Sequence, residues 1–212
     1  MALFSPSELD QIKQAVQQAE VRSGGEIVPV LAQQSSFYEV TLWRAGFLLA
    51  FISSVVLTLL YLFTDALLWM PPYLWLLIVV VAGLLGDVLV LVSPPLKRSL
   101  LSPAMLKARA LDQAKNMFYD HQVTLTDQRT GVLLFISFFE RQVVILADVG
   151  IDELVAPQTW QTITDQLTTG LRQGKRVESI NEAIAACGRL LEESGVQRAV
   201  DDDNELSDEV RI

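Results

Sequence analysis

The stretch TGVLLFISFFERQVVILADVGID, residues 130–152, decides the fold of this chain. It holds two apolar runs, 131–137 and 142–147, rich in valine, leucine and isoleucine, around the connector 139–141. Runs of this length and composition are typical of β-strands with both faces buried. Because so short a connector can join only antiparallel neighbours, the stretch predicts a β-hairpin at the centre of a sheet.

The N-terminal segment predicts a helix followed by a strand. Ser5-Pro6-Ser7-Glu8 combines a serine cap, a proline in the first turn and a glutamate three residues after the cap, which is a helix start. The apolar residues that follow recur at helical spacing up to 23–25. The run 26–32 is then a short strand, and Pro29 inside it predicts an edge position or a bulge because proline has no N–H.

Three further helices are predicted around the hairpin. One begins at Ser102-Pro103 and ends near Asp120, and a second begins near Pro157. A capping box at Ser179–Glu182 predicts the start of the last helix, which carries Cys187 on its apolar face. We expect Cys187 to be a core residue rather than a nucleophile.

The composition is uneven along the chain. The net charge is −9 and the mean hydropathy is +0.36, a combination that one soluble domain rarely shows. Residues 45–92 contain two acidic residues and no basic one. Within them, 45–63 and 74–92 are long enough to cross a bilayer, and a link containing Pro71 and Pro72 joins them. They predict a transmembrane hairpin, with a buried hairpin of a globular core as the alternative.

Basic residues predict the orientation of this hairpin. Arg44 precedes the first span, Lys97 and Arg98 follow the second, and the link has no lysine or arginine. The positive-inside rule therefore predicts that both termini and the soluble part lie in the cytoplasm. The chain is thus expected to be a multi-pass protein of the cell inner membrane. Aromatic residues mark the expected interfaces, namely Trp43 on the inner side and Trp69, Tyr73 and Trp75 on the outer side.

One charge lies inside the second span. Asp87 is read as an interfacial or oligomer-facing carboxylate, with a proton or ion pathway as the alternative. Gly83 and Gly86 nearby permit close approach of helices, which would favour self-association.

These patterns divide the chain into four segments. The first part of an α/β domain spans 1–41, the hairpin 42–96, the second part of the domain 97–195 and an acidic tail 196–212. Since both flanks of the hairpin face the same side, the two parts can fold together into a small sheet covered by helices. The tail is either solvated and disordered or a docking segment.

The sequence contains no known catalytic motif. It has no glycine-rich phosphate loop, and its only histidine, His121, is expected to end a helix. Its one cysteine excludes an intrachain disulfide, and no basic cluster indicates nucleic acid as a partner.

A group of carboxylates at the open end of the β-hairpin is the one candidate site. Asp127 precedes the first strand, and Asp148, Asp152 and Glu153 follow the second. Such oxygen ligands suit Ca²⁺ or Mg²⁺. The alternative is that they solvate a loop and place negative charge at a helix N-terminus. Asp127, Asp148 and Asp152 are the candidate metal ligands.

Several stretches resemble the TPM domain family, in its membrane-inserted bacterial branch. They are 130–152, AIAACGRLLEE at 183–193, the tail DDDNELSDEV at 201–210 and AEVRSGGEIVPVL at 19–31. The resemblance implies an α/β sandwich with a mixed central sheet. It also implies that soluble relatives act as phosphatases or calcium-binding proteins. Those relatives tend to begin with an aspartate-containing segment, and residues 3–9, LFSPSEL, have no aspartate.

We therefore expect an inner-membrane-anchored domain that serves as an interaction or assembly module. Its partners would be the lipid bilayer, through two spans, and either another protein or a second copy of the chain. The alternative is a divalent-metal-dependent phosphatase or calcium-binding protein that uses the acidic loop residues.

Overall fold

A computed structural model describes residues 3–64, 70–126, 128–195, 206 and 209–211. The chain forms two compact units: an α/β unit, residues 1–35 with 106–212, and a hairpin unit, residues 36–105. The helices and strands are α1 Pro6–Glu20, β1 Ile27–Ala32, α2 Glu39–Phe63, α3 Pro72–Val92, α4 Pro94–Ser99, α5 Pro103–Asp120, β2 Val132–Ser137, β3 Gln142–Ala147, α6 Val149–Asp152, α7 Pro157–Arg172 and α8 Arg176–Glu193.

The α/β unit is built on a mixed sheet with strand order β1-β2-β3. β1 runs parallel to β2, with Ile27 opposite Val132, and β3 runs antiparallel to β2, with Ala147 opposite Val132. The predicted small mixed sheet is therefore confirmed, and so is the antiparallel hairpin. The hairpin is not wholly central, because only β2 has strands on both sides and β3 is the last strand of the sheet within the described residues.

Helices cover both faces of this sheet. On one face, Ile27, Leu134 and Ile136 pack in a core with residues of α1, α7 and α8. On the other face, Leu133 and Phe135 pack against α5. Every residue of β2 is buried as a result, which is why its sequence reads as a continuous apolar run.

The outer edge of β1 is covered by the C-terminus of the chain. The N–H of Arg211 donates to the carbonyl of Pro29 at 3.1 Å, and the N–H of Leu31 donates to the carbonyl of Arg211 at 2.8 Å. Pro29 thus faces away from β2, so its missing N–H does not interrupt the main ladder. Leu206 packs against the core on the α5 side. Of the two predictions for the tail, these residues favour docking.

Helix starts follow the predicted capping chemistry in one place and depart from it in another. α1 begins with the predicted capping box, in which Ser5 and Glu8 bond each other's backbone N–H. The prediction for Ser179 is wrong, because α8 begins at Arg176 and Ser179 lies inside it. The Ser179 hydroxyl donates back to the carbonyl of Lys175 instead of capping, and Gly170 of α7 leaves room for it.

The hairpin unit consists of α2 and α3 with the short helix α4. Both long helices carry 21-residue stretches that are long and apolar enough to cross a membrane, Trp43–Phe63 and Pro72–Val92. Only 11% of each window is buried in the structure, which does not favour the buried globular hairpin. Large side chains such as Phe51 and Leu84 are exposed.

Candidate functional site

The open end of the β-hairpin is organised around Asp148. This residue directly follows β3 and caps α6, with its Oδ1 accepting from the Val149 N–H at 2.8 Å. The Arg129 guanidinium donates to the same carboxylate from two nitrogens, Nε to Oδ2 at 2.5 Å and Nη2 to Oδ1 at 2.9 Å. The hydrogen bond to Asp148 raises the pKa of Arg129. The carboxylate is 3% exposed, and both of its oxygens accept hydrogen bonds from protein donors.

The three candidate metal ligands fare differently. Asp127 lies outside the described residues, and Asp152 is exposed on α6. No group of three histidine, cysteine, aspartate or glutamate side chains that could hold a metal ion occurs among the residues that the structure describes. The metal site remains a prediction. The sequence did not predict the role of Arg129, because a single basic residue shortly before β2 does not indicate which carboxylate it will contact.

The turn end of the hairpin contains a buried carboxylate. Glu140 is fully buried, and its Oε1 accepts from the Ser35 N–H at 3.0 Å. Its Oε2 accepts from the Ser137 hydroxyl, which in turn accepts from the Ser35 hydroxyl at 2.9 Å. The sequence shows Glu140 only as part of the short connector 139–141. The Glu140 side chain instead joins the segment after β1 to the turn, and the buried Ser137 hydroxyl serves this connection rather than nucleophilic chemistry.

A cleft of about 510 Å³ lies beside the same turn. Its walls are the end of β2, the turn, the start of β3, the C-terminal half of α7 and the first residue of α8. Arg141, Arg172 and Arg176 line it together with the hydroxyl-bearing Thr168 and an apolar base, and none of its lining residues is acidic. We name it the arginine cleft. Sequence reasoning did not find it, because its arginines come from three separate elements.

Two titratable groups singled out by sequence have no catalytic setting. Cys187 is fully buried on α8, and burial raises the pKa of its thiol to about 12, which confirms it as a core residue. His121 directly follows α5 as predicted. Burial lowers its pKa, the charge of Arg211 lowers it further, and Asp120 partly opposes this. The neutral imidazole is therefore favoured near pH 7, and it does not serve the α5 C-terminus as a cation.

Asp87 lies between the two long helices of the hairpin unit. A Cβ built on Gly46 of α2 would lie 2.4 Å from Asp87 Oδ1, so the glycine makes room for the carboxylate. Oδ1 is buried and has no hydrogen-bond partner within the described part of the chain. Gly86 approaches α2 closely as well. These glycines therefore serve packing within the hairpin, and self-association remains a prediction.

Comparison with known proteins agrees with this architecture. The family model for the TPM domain matches residues 99–190. The solved structure titled "NMR structure of BA42 protein from the psychrophilic bacteria Bizionia argentinensis sp. nov." superposes with a TM-score of 0.60 at 16% sequence identity, covering 99% of this chain and 95% of that one. At this identity the likeness shows the fold alone. No curated protein sequence matches the chain. The predicted resemblance is confirmed, and the chain carries a TPM domain.

Proposed function

We propose that this chain is an inner-membrane protein whose hairpin anchors a cytoplasmic TPM domain that acts as an interaction or assembly module. The observation that carries the proposal is the hairpin unit, which is inserted in sequence between β1 and β2 of the α/β unit. Its two helices leave large apolar side chains exposed along their length. A bilayer is the environment that such surfaces require.

The charge distribution supports the orientation. Arg44 precedes the apolar part of α2, Lys97 and Arg98 lie in α4 after α3, and the link between the spans has no basic residue. Because basic flanks tend to be retained in the cytoplasm, this distribution supports a cytoplasmic α/β unit. The arginine cleft supports the second half of the proposal, because it is an open concave surface with unused charge on a tethered domain.

The metal-dependent phosphatase or calcium-binding protein remains the alternative. It would use Asp127, Asp148 and Asp152 around Ca²⁺ or Mg²⁺. The ion pair between Asp148 and Arg129 places it second, since a metal would have to displace a bidentate guanidinium from a buried carboxylate.

Cysteine labelling tests the anchor and its orientation. The native Cys187 is buried and its thiol pKa is raised, so it will not react with a maleimide near neutral pH. In intact bacterial cells, a membrane-impermeant maleimide is expected to label Met70→Cys, in the link between the spans. It is expected to label Gln166→Cys, exposed on α7, only after permeabilisation. The reverse pattern, or labelling of both in intact cells, contradicts the topology.

Site-specific photo-cross-linking in membranes tests the interaction role. Photoreactive residues at exposed positions of α7 and α8 are expected to give discrete adducts with one partner or with a second copy. A purified chain without any such adduct, together with robust turnover of a phosphoester, would overturn the proposal.

A further inference from the structure

The arginine cleft concentrates positive charge on an acidic molecule. The chain has 16 lysines and arginines against 25 acidic residues, yet three arginines and no acidic residue line this one cleft. The side chains of Arg141 and Arg172 make no ion pair or hydrogen bond with any residue that the structure describes. The three guanidinium groups are exposed, and no counter-charge lies within the cleft lining, so an anionic ligand would reduce the repulsion among them.

The third arginine is oriented by its neighbours. The Arg176 guanidinium lies 5.9 Å from the centre of the Phe138 ring. The Glu8 carboxylate is close enough for the charge of Arg176 to help lower its pKa, after the larger effect of its hydrogen bonds with Ser5. Those bonds, from the Ser5 N–H at 2.7 Å and the Ser5 hydroxyl at 2.8 Å, hold Glu8 at the start of α1. The Arg176 side chain makes no hydrogen bond or ion pair with the described residues, so its N–H donors are available to a ligand.

Arg141 occupies a backbone conformation that favours another residue. Its φ is 53°, in the left-handed region that glycine adopts without strain. Three- and four-residue hairpin turns ordinarily place glycine or asparagine at such a position. Arginine is therefore not the residue that the turn itself favours, and its side chain lines the cleft, where it could contact a ligand.

The cleft continues onto an open strand edge. Gln142 and Val143, the first residues of β3, line it. The Asp148 N–H donates to the Gly131 carbonyl, so the backbone of residue 148 faces the β2 side of the ladder. Residues along a strand alternate in this direction, so the amides of Val143, Ile145 and Ala147 point away from β2. Within the described residues, these outward groups have no backbone partner. An unpaired edge is a site where an extended peptide adds as a further strand.

We propose that the arginine cleft and the outer edge of β3 together bind an extended acidic segment of a partner polypeptide. The partner main chain pairs with β3, and its carboxylates meet the guanidinium groups of Arg141, Arg172 and Arg176. Arginine forks match carboxylates in a bidentate geometry. The inference rests on the proposed function and states the chemistry of its partner. The acidic segment belongs to another protein, because the chain's own tail already packs through Leu206 on the α5 side and pairs through Arg211 with the edge of β1.

Peptide binding to the full-length chain in detergent micelles tests the charge requirement. The probe is a fluorescent peptide with the chain's own sequence 201–209, DDDNELSDE, measured by fluorescence polarisation. Its control has every aspartate replaced by asparagine and every glutamate by glutamine. The acidic peptide is expected to bind at least tenfold more tightly than the control, and high salt is expected to weaken it. Equal binding of both peptides overturns the proposal.

Variants of the chain then locate the site. The double variant Arg172→Gln/Arg176→Gln is expected to weaken acidic-peptide binding at least tenfold. The double variant Arg22→Gln/Arg189→Gln, the same charge change at two exposed positions outside the cleft lining, is expected to have no effect. Equal losses in both, or in neither, overturn the proposal.

Arg141→Gly separates binding from folding. Because glycine accepts the left-handed turn, the thermal midpoint is expected to stay the same or rise while peptide affinity falls. Unchanged affinity overturns the assignment of Arg141. Pyrophosphate that binds the cleft while the peptide does not would show a small-anion site and would also overturn the proposal.

Hydrogen exchange tests the strand edge. Bound acidic peptide is expected to slow exchange across 142–147, and unchanged exchange there overturns the edge contact. Recovery of the photo-cross-linked partner with undiminished yield from the arginine variants would overturn this inference and leave the proposed function standing. A cross-linked dimer that is lost when the acidic residues of 201–209 are replaced would identify a second copy as the occupant and would overturn the proposal.

Discussion

At the scale of single residues, Asp148 lies where the sequence predicts it but makes contacts that the sequence did not predict. Acidic residues do follow the second strand of the hairpin, and Asp148 is the first residue after β3. Its carboxylate, however, faces Arg129 and the first N–H of α6 rather than other acids. Glu140 shows the opposite case, since an apparently ordinary turn residue is buried and bonded to Ser35, 105 positions away. Spacing along the chain predicts neither partnership.

We predict that Asp148→Ala destabilises the TPM domain without any metal present. The substitution removes a helix cap and the buried carboxylate that accepts from the half-exposed Arg129, so a loss of about 2 kcal/mol in the free energy of unfolding is expected. Asp148→Asn keeps a capping side chain and should lose about half as much. Thermal unfolding of the chain in micelles containing a chelator measures both.

Asp152→Asn is the matched control. Asp152 is exposed, and no hydrogen bond or ion pair of its side chain is seen within the described residues, so its unfolding midpoint should not change. If a metal site existed, Ca²⁺ would raise the unfolding midpoint of the native chain, and Asp148→Asn and Asp152→Asn would abolish that rise equally. That outcome would favour the calcium-binding alternative and contradict a purely structural Asp148.

At the scale of elements, the close packing of α2 and α3 depends on small residues. A Cβ added at Gly86 would lie 2.8 Å from the carbonyl oxygen of Ala45, a backbone atom that can move only if the helices separate. We predict that Gly86→Ala lowers the unfolding midpoint of the hairpin in micelles, at a cost of about 1–3 kcal/mol. Helical signal followed during titration with a denaturing detergent measures the change.

Gly83→Ala is its control on the same helix. The nearest atoms to a Cβ at Gly83, the Ala50 Cβ and the Gly46 carbonyl oxygen, lie at 3.5 Å, which is ordinary contact. Its midpoint should stay the same or rise, because alanine favours a helix more than glycine does. Equal losses in both variants would mean that the glycines act through another contact, such as self-association.

Elements were predictable where local chemistry decides them. The capping box at Ser5, the proline at the start of α5 and the apolar length of the spans act within a few residues, and each element is present. The start of α8 was misplaced because the hydroxyl of Ser179 packs against Gly170 of α7, a contact that local spacing does not contain.

At the scale of the whole molecule, the α/β unit carries its own core. Every residue of its two apolar clusters lies in residues 1–35 or 106–212. We predict that replacing residues 36–105 with a glycine–serine linker of about 20 residues, which spans roughly 25 Å, gives a water-soluble domain that unfolds cooperatively. Size-exclusion chromatography and circular dichroism without detergent measure this. Aggregation, or non-cooperative unfolding, would show that the domain requires its hairpin.

The sequence by itself determined the membrane-length helices, the antiparallel hairpin, the capped first helix and the resemblance to the TPM domain. Each depends on composition, period or capping within one stretch of chain. Only the tertiary structure decided which polar groups meet: Arg129 with Asp148, Ser35 with Glu140, and Arg211 with the edge of β1. It also brought three arginines from separate elements into one cleft. The physical reason is that these contacts join groups far apart in the chain, and their positions follow from the packing of helices on both faces of the sheet.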